Sequence, residues 1–166
     1  MSDLQHSLDQ ARRRLAAAPS PARRSDRGRL RLPRPVLDKL RELLLGQERP
    51  AMVEVRRELE AWCRRARQRP PSRATLYHVL PLLEGHAYVI DALPPAVQQV
   101  LYNLDPAGMI SGRQLAFYGF NYGGLEVLSF AAGLPWLDLY QAARLAGWRP
   151  RSRGPLEAVL RARRIA

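Results

Sequence analysis

The sequence contains a single cysteine, Cys63, among its 166 residues. One thiol cannot form an intramolecular disulfide, so a reducing compartment such as the cytoplasm is expected. The three histidines, His6, His78 and His86, are far apart in the chain and lie at no metal-ligand spacing from the cysteine. We therefore expect no metal site.

Long apolar runs are absent as well. No stretch of about 18 apolar residues suggests a membrane span, and the first residues are polar and basic where a secretory signal needs an apolar core. The glycines at 119, 123 and 124 follow aromatic residues rather than a strand, unlike those of phosphate-binding loops. We expect neither a membrane protein nor a nucleotide cofactor.

Residues suited to acid–base catalysis are scattered. Nothing in the sequence brings together any two of Asp91, Asp105, Glu126 and Asp138. Asp138 lies between two leucines, and we interpret it as a residue on the surface of a helix. Because familiar catalytic motifs are missing, we expect a protein that is not an enzyme.

Lysine is nearly absent, whereas arginine is abundant. Lys39 is the only lysine among 27 basic residues, which face 15 acidic ones and give a net charge of +12. Such an excess favours a polyanionic partner, with nucleic acid first, because arginine makes bidentate contacts with phosphate and guanine. Arginine-biased codon usage in a GC-rich genome is the alternative explanation.

The positive charge is confined to the two flanks of the chain. Residues 1–35 have a net charge of +6, residues 36–83 of +4, residues 84–147 of −3 and residues 148–166 of +5. A weakly acidic, apolar middle therefore lies between basic segments. We interpret it as core or as protein-binding surface.

Residues 1–34 are expected to form a basic, partly disordered arm. The spacing of leucines favours a short helix over residues 3–17, and the following segment is rich in proline, serine and arginine without apolar periodicity. An arm of this kind can enter a DNA minor groove, with Arg29 and Arg31 as candidate contacts. A merely solubilising or cleavable tail is the alternative.

From residue 35 onward the pattern predicts a mainly α fold. We expect helices from residue 35 to 46 and over residues 52–67, a break at the proline pair 70–71, and a short helix after Ser72. A strand within residues 86–94 would follow. This order predicts a winged helix-turn-helix DNA-binding domain over residues 35–93.

The short helix after Ser72 is the strongest local signal. Ser72 is a good N-cap, the aliphatic residues share an inner face, and a helix that enters a major groove also needs outward polar side chains. An ordinary capped surface helix is the alternative. The hydroxyl and guanidinium groups are expected to contact phosphate, and Tyr77 and His78 are expected to contact the DNA backbone or base edges. The candidate DNA-binding residues are Arg67, Arg69, Ser72, Arg73, Thr75, Tyr77 and His78.

Residues 36–93 resemble bacterial helix-turn-helix regulators, and with the expected strand they are similar to the winged-helix domain of abortive-infection-type antitoxins. The resemblance implies a repressor that binds duplex DNA at its own operon and counteracts a nucleotidyltransferase-like toxin. Two other classes of function stay open: an RNA-binding accessory protein, and a protein-interaction adaptor without a nucleic-acid function.

Residues 94–166 are expected to be a helical oligomerisation or partner-binding region that ends in a basic helix. Three helices are predicted at about 112–120, 124–132 and 135–146, after a linker at 105–111. Their aromatic content favours contact with a partner, either a second copy in a homodimer or a cognate toxin protein, and a compact subdomain is the alternative. The candidate partner-binding residues are Phe117, Phe120, Tyr122, Trp136 and Tyr140.

Overall fold

Helices dominate residues 32–165, the part of the chain that the computed structural model describes. The mainly α class expected from the sequence is confirmed. The arm predicted over residues 1–34, with Arg29 and Arg31, lies outside the described residues except for its last three. The elements are α1 (Arg34–Leu45), α2 (Met52–Arg65), α3 (Arg73–Val79), β1 (Ala87–Val89), α4 (Pro95–Val100), β2 (Met109–Ser111), α5 (Gly112–Tyr122), α6 (Leu125–Ala132), α7 (Trp136–Ala142) and α8 (Pro150–Ala162).

The first two helices pack against each other through matching apolar stripes. In α1 the fully buried residues are Val36, Leu40 and Leu44, which repeat every four positions along one face. In α2 the corresponding stripe is Val55, Leu59 and Cys63. This spacing places each stripe on a single side of its helix, so the opposite sides, where most of the charges lie, are left to solvent.

Helix α7 is at the centre of the described fold. All seven of its residues are buried, and it packs against α5, α1 and the 3₁₀ turn at Leu80–Leu82. Elements from both sides of the boundary expected between residues 93 and 94 therefore share one core, and residues 32–165 belong to one unit. A functional division at that boundary stays a prediction.

The two short strands form an antiparallel ladder in which Tyr88 is opposite Ile110. The strand expected within residues 86–94 ends at Val89, because residues 90–92 form a 3₁₀ turn and Pro94 precedes α4. The second strand, β2, lies in the segment that the sequence suggested was a linker. The connection between the strands contains α4 instead of a tight hairpin turn.

Three of the large aromatic side chains in the second half of the protein lie in the core. Phe120, Trp136 and Tyr140 are each no more than 4% exposed, and the last two rings stack with their centroids 4.9 Å apart. They are buried because α5 and α7 share a core with α1 and the 80–82 turn. This shared core offers more packing surface for aromatic rings than a separate region of about 40 residues would. Among residues 32–165, no helix has the length and apolar character needed to cross a membrane.

Candidate nucleic-acid interface

The turn between α2 and α3, which the sequence predicted to belong to a helix-turn-helix, begins where α2 ends. The backbone N–H of Gln68 donates to the carbonyl of Cys63 at 2.8 Å, which closes the last turn of the helix. Arg67 lies within this closing turn, and its φ of +53° is in the left-handed region that glycine usually occupies. The chain therefore leaves α2 in a sharp turn that directs Arg67 into solvent.

Helix α3 has the cap and the inner face expected from the sequence. The backbone N–H of Thr75 donates to Ser72 Oγ at 3.1 Å, and Leu76 and Val79 are buried. The α-helix ends at Val79, where the 3₁₀ turn with Pro81 begins. Tyr77 and His78 lie on the outer face, and the ring of Tyr77 is 41% exposed.

The hydroxyl groups of Ser72 and Thr75 are already engaged with each other. Their oxygens are 2.8 Å apart, and Ser72 Oγ also caps the helix. Their first role is thus to hold the start of α3, and contact with phosphate stays a prediction for both. A ligand would reach this end of the helix mainly through the neighbouring guanidinium groups.

Five exposed arginines, which we call the arginine surface, cluster between the end of α2 and the start of α3. None of them lies within ion-pairing distance of an acidic side chain of residues 32–165. The guanidinium of Arg73 lies 5.7 Å from the centre of the Tyr77 ring, within the range of a cation–π contact. The arginine surface consists of Arg64, Arg65, Arg67, Arg69 and Arg73.

Many of the other arginines in the described residues have a structural partner instead. Arg56 pairs with Glu60 at 2.6 Å, and the guanidinium of Arg144 lies 3.5 Å from the centre of the Tyr140 ring. Arg163 donates to the carbonyls of Glu48, Ala132 and Leu134. Within residues 32–165, the guanidinium groups of the arginine surface make no ion pair or hydrogen bond, and Arg73 contacts the Tyr77 ring.

A second exposed feature lies on the other half of the protein. Tyr102 is 87% exposed, Leu125 85% and Tyr122 45%, and together with Tyr118 they line a cavity of about 730 Å³. We call these four residues the tyrosine groove. Of the five residues predicted to bind a partner, only Tyr122 is exposed at this groove, and sequence reasoning missed Tyr102 and Leu125.

Asp138 lies inside the fold and not on the surface of α7. The interpretation as a helix-surface residue is wrong, because the Asp138 side chain is completely buried and faces His86 across 3.4 Å. Burial raises the pKa of this carboxyl group, and the neighbouring His86 and Arg41 act against the rise. No group of three His, Cys, Asp or Glu side chains within residues 32–165 is arranged to hold a metal ion.

Comparison with protein-family models, curated proteins and solved structures finds no match to this chain. The features of the described residues that bear on function are the arginine surface, the tyrosine groove and the buried carboxylate of Asp138.

Proposed function

We propose that this protein is a transcriptional regulator that binds duplex DNA through the arginine surface and the outer face of α3. The observation that carries the proposal is the cluster of five exposed arginines, 64, 65, 67, 69 and 73, without acidic partners in the described residues. Like charges held together are mutually repulsive, and a phosphate backbone relieves that repulsion. Tyr77 and His78 would then contact base edges or sugar next to the phosphates.

The finer form of the proposal is a winged helix, in which α2 and α3 are the helix-turn-helix and β1 with β2 is the wing. The order of elements supports this form, whereas the helix α4 between the strands is unusual for a wing. The resemblance of residues 36–93 to antitoxin domains extends the proposal to a repressor or autoregulator with a toxin partner. Such a protein would act in the bacterial cytoplasm, where Cys63 would stay a thiol.

We also propose that the protein is a homodimer joined through the tyrosine groove. An exposed tyrosine and leucine beside one cavity are typical of an interface core. The guanidinium of Arg149 lies 4.0 Å from the centre of the Tyr122 ring, and Glu126 lines the same cavity. Since a two-fold axis repeats every contact, Arg149 of each copy can meet Glu126 of the other.

The DNA-binding proposal is tested by comparing two double variants, each of which loses two positive charges at a different place on the surface. Arg69→Ala with Arg73→Ala removes two charges from the arginine surface, and Arg153→Ala with Arg161→Ala removes two exposed charges from α8. We expect the first pair to weaken binding to promoter DNA by about tenfold or more and to reduce the salt slope by about 1.8. The second pair should change both much less.

The measurement is fluorescence anisotropy over a salt series with duplex DNA, duplex RNA and single strands, and circular dichroism checks that each variant is folded. Equal effects of the two pairs would remove the arginine surface from the interface. Preference for RNA would favour the accessory-protein alternative, and absence of binding to all probes would favour the adaptor.

A further inference from the structure

The buried carboxylate of Asp138 orients an imidazole at the wall of a cavity. Asp138 Oδ1 accepts a hydrogen bond from the backbone N–H of His86 at 3.2 Å. Its Oδ2 is 3.4 Å from Nδ1 of the same histidine, which is ion-pairing distance but not hydrogen-bond geometry. The first contact holds the backbone of His86, and the second places Nδ1 on the side of the carboxylate, so Nε2 is left for another partner.

The backbone of two glycine residues passes very close to the Asp138 carboxylate. A Cβ atom at Gly85 or Gly112 would overlap the Asp138 carboxylate, and the N–H of Gly112 donates to the carbonyl of His86 at 2.8 Å. Three segments that are distant in sequence therefore meet at one carboxyl group. A surface ion pair would not need two residues without side chains around it.

Cationic groups line the cavity of about 460 Å³ that adjoins this pair. Arg41 uses Nε and Nη2 to donate to the carbonyls of Glu84 and Gly85, at 2.6 and 3.3 Å, which leaves other guanidinium N–H groups unused. Arg113 is exposed and has no acidic partner among residues 32–165. His86, with 39% of its side chain exposed, adds an imidazole nitrogen to this wall.

Two acids, Asp138 and Glu84, also line the cavity. Asp138 accepts a hydrogen bond from the backbone N–H of His86, and Glu84 has a carboxylate oxygen 3.7 Å from Nη2 of Arg34. We propose that the cavity binds a small oxyanion, a carboxylate or a phosphate group, between Arg41, Arg113 and the Asp138-oriented His86. These three side chains supply the N–H donors that such an anion needs.

The cavity wall is also connected to α3. Gln141 of α7 donates to the carbonyls of Leu80 and Leu83, at 2.9 and 2.8 Å, and these residues lie directly after α3. An anion bound to His86 and Arg41 would therefore shift segment 80–86, which directly follows the helix proposed to contact DNA. This regulatory step rests on the proposed function, whereas binding of the anion does not.

The test follows the histidine side chains by long-range ¹H–¹⁵N NMR while inorganic phosphate or acetate is added. A matched titration with sodium chloride controls for general ionic effects, because His78 lies on the α3 face proposed to contact DNA and is not an independent reference. We expect phosphate or acetate to shift the His86 signals with saturation, whereas chloride should shift them little. Arg113→Gln should weaken the binding by about tenfold, and Arg153→Gln, an exposed change on α8, should leave it unchanged.

Arg113 is exposed, so its substitution leaves the core intact and the test does not depend on a variant of Asp138. Unsaturable shifts of His86 that chloride reproduces, or equal affinity in Arg113→Gln, would overturn the anion site. Saturation by phosphate alone identifies a phosphate ligand, and saturation by acetate identifies a carboxylate. If the anion binds and no DNA does, the proposed function fails while the anion site stands.

Discussion

Arg67 has a backbone conformation that stores strain next to the proposed interface. Its φ of +53° lies in the left-handed region, where a residue with a Cβ atom costs about 1 kcal/mol relative to glycine. Arg164 has the same conformation, with φ of +52°, just after α8. The protein thus contains two equivalent backbone sites, one inside the arginine surface and one outside it.

We predict that Arg67→Gly and Arg164→Gly each raise the free energy of unfolding by up to about 1 kcal/mol. Only Arg67→Gly should also weaken binding to duplex DNA, because it alone removes a charge from the arginine surface. Urea unfolding and anisotropy titrations measure the two effects. Equal DNA affinities in the two variants would indicate that the strained arginine at position 67 does not contact DNA.

Asp138 predicts a particular dependence of stability on pH. Burial raises its pKa in the folded protein, so the folded state binds this proton more tightly than the unfolded chain does. The resulting stabilisation is complete below the unfolded pKa of about 3.9 and is lost as the pH rises through the folded value. We expect wild type to gain stability over Asp138→Asn as the pH falls from about 7 to about 4.

Urea unfolding across that pH range measures the difference between wild type and Asp138→Asn. Glu157→Gln, an exposed substitution on α8, controls for the simple loss of a carboxylate. A difference that stays constant or changes in the opposite direction would mean that burial does not govern this group.

Among the elements, α5 begins under a steric constraint that sequence alone does not reveal. A Cβ atom at Gly112 would overlap the carboxylate of Asp138, whereas one at Gly124, just before α6, would meet nothing within 4 Å. We predict that Gly112→Ala lowers the free energy of unfolding by about 3 kcal/mol and that Gly124→Ala changes it by less than about 1 kcal/mol.

The cause can be checked with a second substitution. Asp138→Ala removes the overlapping carboxylate, so the double variant should lose less stability than the sum of the two single variants. Additive losses, measured by urea unfolding, would place the effect of Gly112→Ala elsewhere.

Local signals were sufficient for most helix ends. The cap at Ser72, the glycine at position 46 and the prolines around α3 act within a few residues, and the structure confirms the helices that they predicted. Strand β2 was missed because its only partner, β1, is about twenty residues away and the segment has turn-like composition. A strand of three residues whose partner is so distant in the sequence has no periodic pattern that could reveal it.

Burial of α7 was missed for a different reason. Seven residues make about two turns, which is too short for a helical stripe, and a helix buried on every side has no polar face to reveal its orientation. Asp138 therefore looked like a surface residue. The exposure of Tyr102 and Leu125 was missed for the opposite reason, since these residue types are usually found in cores.

For the whole molecule, the net charge of +12 overstates what is available to a polyanion. Arg163 shows why: its guanidinium makes three hydrogen bonds, of 2.8, 3.1 and 3.2 Å, to backbone carbonyls of two separate segments. This arginine joins the end of α8 to the rest of the described fold. Counting charges along the sequence cannot separate such residues from the arginine surface, which has no comparable contacts.

The proposed dimer is a prediction about the whole molecule, and Leu125 is the position that tests it. The sequence suggested Trp136 as a partner contact, but that side chain is 3% exposed, so its substitution would disrupt the core. Leu125 is 85% exposed at the tyrosine groove, and Val53, which is 82% exposed on α2, provides a matched control. A glutamate at either position should leave the fold intact.

We expect light scattering to give twice the chain mass of 18.8 kDa for wild type and for Val53→Glu, and the single mass for Leu125→Glu. A buried carboxylate facing its symmetry mate is strongly unfavourable, so one substitution per chain is enough to separate the copies. The monomeric variant should then protect one half-site of DNA instead of two that are about 10 base pairs apart. A wild-type monomer at tens of micromolar would reject the homodimer, and an unchanged mass of Leu125→Glu would place the dimer contact outside the tyrosine groove.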